Sequence, residues 1–513
     1  MAHESSIATG SARLQAKRQL HCVKRAVAIA WCPILKSMPT DHVPSPPHLP
    51  RELGQGSALV LNMLEMVGVG PFITLPLIVA AMGGPQAMLG WVLGAALALC
   101  DGLVWAELAA ALPEAGGSYA FLREIYGPGR AGRLVSFLYV WQFTLSAPLV
   151  MASGAIGLAQ YASYLYPWLS GNLAAAGLLR HVHRTSLLAV AVVVLVVALL
   201  YRRLRAVERM AWVLWAGVIF TLGITIVAGF SHFNARQAFS FPAGAFQLNH
   251  RFFIGLGAAM LIATYDYWGY YTISYMAGEV RDPGRTLPRT ILGSIVIIAV
   301  IYLLMNISVL GVIPWQEFTA SRTSTSHTAV VAELLARSFG PVWARIGAWM
   351  VIWTAFGSLF SLLLAGSRVL WAAAAEGNYF RPLARLHARG GFPANVLLLL
   401  GTIACFCCFF DLKAIIAALV ALRIVLQFLL QQVGVVLLRR RRPEMPRPFR
   451  IWLYPLPVIL ATLGFLFVLA SRAHAGREIV AALVVTISGL IVYLRRARRD
   501  AAWPYAPAVK SAP

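Results

Sequence analysis

The sequence predicts an all-α polytopic membrane protein with about twelve transmembrane helices. Of the 513 residues, 59% are hydrophobic and only 12% are charged, and the mean hydropathy is +0.72. Several apolar stretches reach the roughly 20 residues that cross a ~30 Å hydrocarbon core. Two of these stretches, the first and the sixth, are interrupted in the middle by helix-breaking residues. Matching interruptions in two halves of the chain indicate a five-plus-five inverted repeat in which helices 1 and 6 are broken.

The expected spans are apolar stretches separated by polar or basic connections. They cover about residues 57–79, 87–111, 134–158, 186–201, 210–230, 252–276, 288–313, 346–374, 394–410, 414–438, 452–470 and 477–494. An even number of spans puts both ends of the chain on the same side of the membrane.

The interruption in span 1 covers residues 67–72, where Gly68, Gly70 and Pro71 stand close together. Pro71 removes a helical hydrogen bond and disfavours helix at Gly70. The interruption in span 6 is expected at residues 264–269. Lipid cannot satisfy the freed backbone groups, so both interruptions must face protein or a water-filled cavity. A cavity of this kind near the bilayer midplane is typical of a secondary transporter, which binds a polar solute there.

Basic residues indicate the orientation, because Lys and Arg in short loops favour the cytoplasmic side. Twenty-three arginines lie in or at the edge of the even-numbered connections and after the last span, against ten Lys and Arg residues in the odd-numbered connections. We therefore expect both termini in the cytoplasm and the protein in the cytoplasmic (inner) membrane. The formal net charge of +24 is dispersed among short segments, which favours contact with anionic membrane lipid over nucleic acid.

The ends of the chain differ from the apolar part. Residues 1–56 are basic and Pro-rich without a span-length apolar run, which predicts a disordered cytoplasmic tail. The transporter domain is expected at residues 57–494, and a cytoplasmic C-terminal tail at residues 495–513. A natural start at Met38 is an alternative that the sequence leaves open, and so is the oligomeric state.

The reactive residue types argue against an enzyme. All eleven His residues fall in the tail or in predicted connections, so neither a metalloprotease nor a serine protease site can form within the bilayer. Cys405, Cys407 and Cys408 have no accompanying His or carboxylate at ligand spacing. No Gly-rich phosphate loop with a following Lys occurs. We therefore expect no catalytic residues, no metal and no cofactor.

Acidic residues inside the spans are few, and an intramembrane carboxylate is functional by default. Glu107 and Glu279 lie near the cytoplasmic boundary, where pairing with Arg is the simplest interpretation, and Asp101 suits a hydrogen bond between helices. Asp266 lies within the expected interruption of span 6, and Glu65 lies one turn before that of span 1. Both are predicted to face one cavity and are candidates for coupling transport to a proton.

The glycines of span 1 predict a second feature of that cavity. A half-helix that begins near Gly70 presents free N–H groups and a positive dipole end, which suit a carboxylate. Aromatic side chains of span 6, among them Tyr265 and Trp268, surround the other interruption and are expected to form a wall or gate.

These motifs resemble the amino acid–polyamine–organocation (APC) permeases. Residues 68–72 are similar to their Gly-x-Gly-Ile-Phe segment, residues 107–119 and 278–289 to the loops after their second and sixth helices, and residues 367–377 to the end of their eighth. Of the branches, polyamine-uptake and L-type amino acid transporters are the most similar. The resemblance implies a twelve-helix transporter whose first break binds a substrate α-carboxylate, while carbonyls of both breaks bind the α-amino group.

Two departures from the family pattern leave details open. Span 5 carries no basic residue where several proton-coupled or exchanging relatives have a Lys, so coupling to protons, to sodium or to exchange stays undecided. Tyr270 and Tyr271 stand where polyamine carriers hold an acid, which disfavours a polyamine.

The combined hypothesis is a secondary active transporter of amino acids that works by alternating access. A polyamine or cationic-amine carrier is the alternative, and a non-transporting sensor or subunit is a rival of another class. The substrate cavity is expected between spans 1, 3, 6 and 8. Its predicted substrate-binding residues are Gly68, Val69, Gly70, Thr264, Tyr265, Asp266, Trp268 and Gly269, and its predicted coupling residues are Glu65 and Asp266.

Overall fold

The computed structural model describes residues 51–127, 131–172, 183–202, 204–320, 329–410, 423–471 and 475–499. Most of the expected N-terminal tail, up to residue 50, lies outside the described residues, as does the C-terminal segment from residue 500. The described residues contain no β-sheet and only two isolated bridges, Leu53 with Val280 and Asn172 with His183. The helices in order are α1 (Gln55–Met66), α2 (Gly70–Met82), α3 (Met88–Ala111), α4 (Ser118–Tyr126), α5 (Ala131–Leu165), α6 (Arg184–Leu200), α7 (Leu204–Ser231), α8 (Ala235–Ala238), α9 (His250–Tyr267), α10 (Thr272–Tyr275), α11 (Pro283–Leu310), α12 (Glu317–Ala320), α13 (Val330–Phe339), α14 (Pro341–Ala375), α15 (Ala394–Cys407), α16 (Leu430–Arg441), α17 (Leu456–Ala470) and α18 (Ala475–Arg499).

The multi-span helical fold expected from the sequence is confirmed. Each of the twelve predicted spans coincides with one helix or with a pair of helices among the described residues. Six helical segments are long and apolar enough to cross a membrane, and α1 with α2 makes a seventh span that is bent by 45°. Three shorter apolar helices, α6, α15 and α17, fill further predicted spans. Span 10 begins in the described residues with a π-helical turn, Ile424–Leu429, and continues as α16.

Helical packing is seen on both sides of the expected boundaries of the transporter domain. Leu53 is fully buried, and its N–H donates to the carbonyl of Glu279 at 2.9 Å, so this part of the expected tail packs on the helices. At the other end α18 continues to Arg499, because basic side chains in the last turn of a helix stabilise its negative dipole end.

The break in span 1 lies where the glycines predict it. Helix α1 ends at Met66, residues 67–69 are non-helical, and Gly70 begins α2 with Pro71 in its first turn. Pro suits that position because the first N–H groups of a helix have no intrahelical acceptor to lose.

The break in span 6 lies further along the chain than expected. Helix α9 continues through Thr264, Tyr265 and Asp266 to Tyr267, and the non-helical residues are 268–271. The expected interruption at residues 264–269 was therefore wrong in its first four positions, because no Gly or Pro among them disrupts the helix. The turn occurs at Gly269, whose φ of +114° is strained for any residue with a Cβ.

The two breaks contact each other directly. A Cβ at Gly269 would lie 2.9 Å from the backbone N of Met66, so only glycine lets the two chains approach this closely. The neighbouring α3 packs against α9 through small residues, where a Cβ at Gly90 would meet Ala259 at 2.7 Å. These close contacts place the ends of α1, α2, α9 and α10 around one point in the bundle.

Candidate functional site

A cavity of about 150 Å³ lies between the two breaks. Its wall comes from span 1, span 3 (α5), span 6, span 8 (α14) and span 10. Polar, aromatic and glycine residues of this wall include Glu65, Gly68, Val69, Gly70, Thr74, Ser153, Tyr265, Asp266, Trp268, Gly269, Tyr271, Ser358 and Arg423. Spans 1, 3, 6 and 8 are those expected from the sequence, and span 10 is an addition.

Three consecutive backbone N–H groups at the first break have no hydrogen-bond acceptor among the described residues. The N–H groups of Gly68, Val69 and Gly70 have no acceptor among the described residues, whereas the N–H groups of Val67 and Phe72 on either side are bonded to the carbonyls of Met63 and Val69. Unsatisfied backbone donors are costly away from water. Together with the positive end of the α2 dipole, these three donors form a seat for an anionic group.

The Asp266 carboxyl lies beside that seat. Its Oδ2 accepts a hydrogen bond from Thr74 Oγ1 at 2.5 Å, and its Oδ1 is buried without a partner among the described residues. A Cβ at Gly70 would collide with Oδ1, so the carboxyl sits against the first turn of α2. Asp266 is 4% exposed, and it forms none of the ion pairs found among the described residues. The contact brings a carboxyl group next to the N–H groups that lack an acceptor.

Side chains from neighbouring spans satisfy other backbone groups at the breaks. The Tyr302 hydroxyl of α11 donates to the carbonyl of Met66 at 2.7 Å. At the second break, Asn62 Nδ2 donates to the carbonyl of Tyr270 at 2.6 Å, and Asn62 Oδ1 accepts from the N–H of Ile273 at 3.0 Å. These bonds fix both interruptions in place. Neighbouring helices therefore hold the non-helical backbone in place, while the N–H groups of residues 68–70 remain without an acceptor.

Aromatic residues of span 6 form one side of the cavity, as the sequence predicts. Trp268 and Tyr271 both line it, and Phe428 packs on their rings with centroid distances of 5.3 and 5.6 Å. Arg423, which the sequence analysis did not single out, lies over the same two rings. A buried Arg in an otherwise apolar span was the signal that could have found it.

Of the predicted site residues, all but one line the cavity. Gly68, Val69 and Gly70 line it from span 1, and Tyr265, Asp266, Trp268 and Gly269 line it from span 6, with Glu65 also in the wall. Thr264 is the exception: it is 2% exposed and absent from the cavity wall, and its N lies beside Gly94 of α3. Because α9 is still helical at Thr264, its backbone packs beside α3, and its assignment to the site stays a prediction.

The other intramembrane acids have partners in the protein. Asp101 accepts hydrogen bonds from the Tyr270 hydroxyl and from Gln432, each at 2.5 Å, and so joins three spans. Glu107 pairs with Arg439, and Glu279 pairs with Arg368 at 2.8 Å. These contacts agree with the structural interpretation of all three acids and leave Glu65 and Asp266 as the acids of the cavity.

A multi-span helical membrane protein with a polar cavity between two broken helices belongs to the class of secondary transporters. Residues 53–493 match the amino acid permease family, so this chain belongs to that family. It is 25% identical over 466 residues to a branched-chain amino acid permease of Bacillus subtilis, covering 88% of this chain and 94% of the relative. It is 25% identical to a serine/threonine exchanger of the same bacterium, covering 88% and 98%. It is 27% identical to the mouse Asc-type amino acid transporter 1, covering 82% and 76%.

Proposed function

We propose that this protein is a secondary active transporter that moves amino acids across the cytoplasmic membrane by alternating access. The observation that carries the proposal is the row of three N–H groups at residues 68–70, which lack an acceptor and lie on a cavity between two broken helices. The named relatives, which are amino acid permeases, exchangers and transporters, support the same substrate class.

The substrate binds with its two backbone groups on the two breaks. The α-carboxylate accepts hydrogen bonds from Gly68, Val69 and Gly70 at the positive end of α2. The α-amino group lies at the C-terminal end of α9, where the carbonyls of Asp266 and Tyr267 accept no backbone hydrogen bond from the described residues. A helix C-terminus carries partial negative charge and favours a cation. A zwitterion therefore complements the electrostatics of the cavity.

Asp266 is the better candidate for coupling. An ionised Asp266 carboxylate beside Gly70 would repel a substrate carboxylate on the same helix end, and a protonated one would not. Substrate and proton therefore favour each other's binding, which is the requirement for proton symport. Glu65, which lines the same cavity on span 1, is the second candidate, and exchange of one amino acid for another is the alternative mode.

The excess of basic residues in the even-numbered connections supports cytoplasmic termini. Rocking of one helical bundle against the rest would expose the cavity to the two sides in turn.

Purified protein in proteoliposomes tests the proposal directly. Uptake of labelled amino acids is measured with a panel of unlabelled competitors, under an imposed pH gradient, under a sodium gradient, and with internal substrate. We expect saturable uptake of at least one amino acid and stimulation by external acid. Uptake of polyamines alone would exclude the proposal in favour of a cationic-amine carrier, and binding without uptake would favour a sensor.

A further inference from the structure

A buried cation forms part of the cavity wall. Arg423, at the start of the described part of span 10, is 6% exposed and lines the cavity that holds Glu65 and Asp266. A charged side chain at this depth is expensive unless it is paired or has a function. The groups around Arg423 therefore show whether its charge is paired within the protein or is left for a function.

Neutral groups hold the guanidinium in place. Arg423 Nε donates to Gln427 Oε1 at 3.0 Å, and Gln427 Nε2 in turn donates to the Tyr275 hydroxyl at 3.1 Å. The guanidinium carbon lies 5.2 Å from the ring centroid of Trp268 and 5.4 Å from that of Tyr271. Cation–π contacts at this distance stabilise a desolvated guanidinium. The charge is thus positioned without being neutralised.

No carboxylate in the described part of the chain forms a direct ion pair with Arg423, and Glu65 of the same cavity acts on it only at longer range. Arg423 takes part in none of the ion pairs that the described residues form, although two acids line the same cavity. Asp266 accepts a hydrogen bond from Thr74 in the same cavity. An arginine has five N–H donors, of which Gln427 occupies the one at Nε, and the Tyr275 hydroxyl also lies close to the guanidinium. N–H groups on the terminal nitrogens can still serve a further oxygen ligand.

Arg423 lies in the part of the cavity wall towards which the side chain of a bound substrate would extend. This step rests on the proposed function, in which the α-carboxylate and the α-amino group bind at the breaks of spans 1 and 6. The side chain of the substrate then extends towards the remaining walls, which span 3, span 8 and Arg423 of span 10 provide. We infer that Arg423 determines the side-chain specificity: it selects amino acids whose side chain presents an oxygen acceptor, and it excludes amino acids and amines with a second positive charge.

Two physical effects produce this selectivity. An oxygen on the substrate gains a charge-assisted hydrogen bond that an apolar side chain of the same size cannot make. A cationic side chain meets a like charge inside a low-dielectric cavity, where the repulsion is much stronger than in water. The Asp266 carboxyl lies against the first turn of α2, where it accepts a hydrogen bond from Thr74, and forms no ion pair with Arg423.

Glutamine, leucine and lysine, which are similar in length, separate these effects. Uptake of each labelled amino acid by the full chain in proteoliposomes, and the thermal stabilisation that each produces in detergent, give the apparent affinities. For the wild type we expect glutamine to bind best and lysine worst. In Arg423→Gln the preference for glutamine over leucine falls about tenfold, because a hydrogen bond to a charged group is lost. The relative affinity for lysine rises in the same variant.

Two further variants control the result. Arg423→Lys keeps the positive charge, so this variant still excludes the substrate lysine. Its hydrogen bond to the side chain of bound glutamine is weakened, because an ammonium group does not reproduce the geometry of a guanidinium. Arg440→Gln removes an exposed charge from α16, outside the cavity, and leaves all three affinities unchanged. The stabilisation assay reports binding even in a protein that does not transport, so a failure of the proposed transport activity is distinguished from a failure of this inference. Lysine or putrescine binding as tight as glutamine in the wild type, unchanged ratios in Arg423→Gln, or no stabilisation by any of the three amino acids overturns the inference.

Discussion

The Asp266 carboxyl of span 6 accepts a hydrogen bond from the Thr74 hydroxyl of span 1 at 2.5 Å, across the point where both helices are broken. The contact holds an acid against the first turn of α2, next to the free N–H groups that suit a substrate carboxylate. Two carboxylates at one helix end repel each other, so the protonation of Asp266 and the binding of substrate are linked.

The first prediction concerns this linkage. Asp266→Asn keeps the shape and the hydrogen bond from Thr74 but is permanently neutral. We expect it to retain exchange of internal for external substrate and to lose accumulation driven by external acid, since no proton binds with the substrate. Uptake and exchange in proteoliposomes at several external pH values measure both. Glu65→Gln, at the second acid of the same cavity, is the comparison: it keeps the pH response if Asp266 is the coupling acid and loses it if Glu65 carries the coupling proton. An affinity loss of about 2–5 kcal/mol at every pH would instead indicate that Asp266 pairs with the substrate amine.

The second prediction concerns Gly70. A Cβ there would collide with Asp266 Oδ1, so even Gly70→Ala displaces the carboxyl or the helix end. Overpacking of this kind costs about 1–3 kcal/mol, and we expect substrate affinity to fall about tenfold or more while the protein remains extractable. Gly70→Leu should abolish binding. Gly223→Ala in α7, where a Cβ has open space, is the control and should behave as the wild type. Unchanged affinity in Gly70→Ala would mean that the seat for the carboxylate lies elsewhere.

The third prediction concerns the hydroxyl that supports the first break. Tyr302→Phe leaves the buried carbonyl of Met66 without its hydrogen bond, which costs about 1–3 kcal/mol. We expect a lower unfolding temperature and weaker substrate binding, because the end of α1 loses its anchor on α11. Thermal unfolding in detergent, with and without substrate, measures both. Tyr201→Phe removes a hydroxyl from a side chain that is 41% exposed and should leave both values unchanged.

The fourth prediction concerns the pair between Glu279 and Arg368, which are 2% and 3% exposed. Glu279→Gln leaves a buried guanidinium uncompensated, which costs about 3–5 kcal/mol. We expect poor expression and a much lower unfolding temperature. Part of that stability should return in the double variant with Arg368→Gln, because the isolated charge is removed. Glu52→Gln breaks the pair with the exposed Arg205 and should cost at most about 1 kcal/mol. A single variant as stable as the wild type would show that the pair carries no net stability.

The fifth prediction concerns topology. The distribution of basic residues predicts that the segment around Arg180 lies outside the cell and the segment that holds Arg205 inside. Reporter fusions after Arg184 and after Arg209 should therefore give opposite sidedness. The same sidedness for both would be incompatible with a membrane span between them.

The sequence by itself determined the class of this protein and most of its helices. Apolar length fixes membrane spans because the hydrocarbon core has one thickness and every backbone group in it must be bonded within the protein. Gly68, Gly70 and Pro71 likewise fixed the break in span 1, since their effect on the backbone is local. The N–H groups without an acceptor at residues 68–70 follow from the same local effect. Asp266 lines the cavity as expected, although it lies in the helix and not in the break.

Only the tertiary structure decided the rest of the site. The break in span 6 occurs at Gly269, where the backbone of Met66 leaves no room for a Cβ, and that contact joins residues distant in the chain. The backbone at Thr264 packs beside α3, because α9 stays helical through the positions where the break was expected. Arg423 reaches the cavity only because span 10 packs against the aromatic side chains of span 6. Local sequence patterns determine how each segment folds. Which side chains meet depends on how helices that are distant in the chain pack together, and no local pattern specifies those contacts.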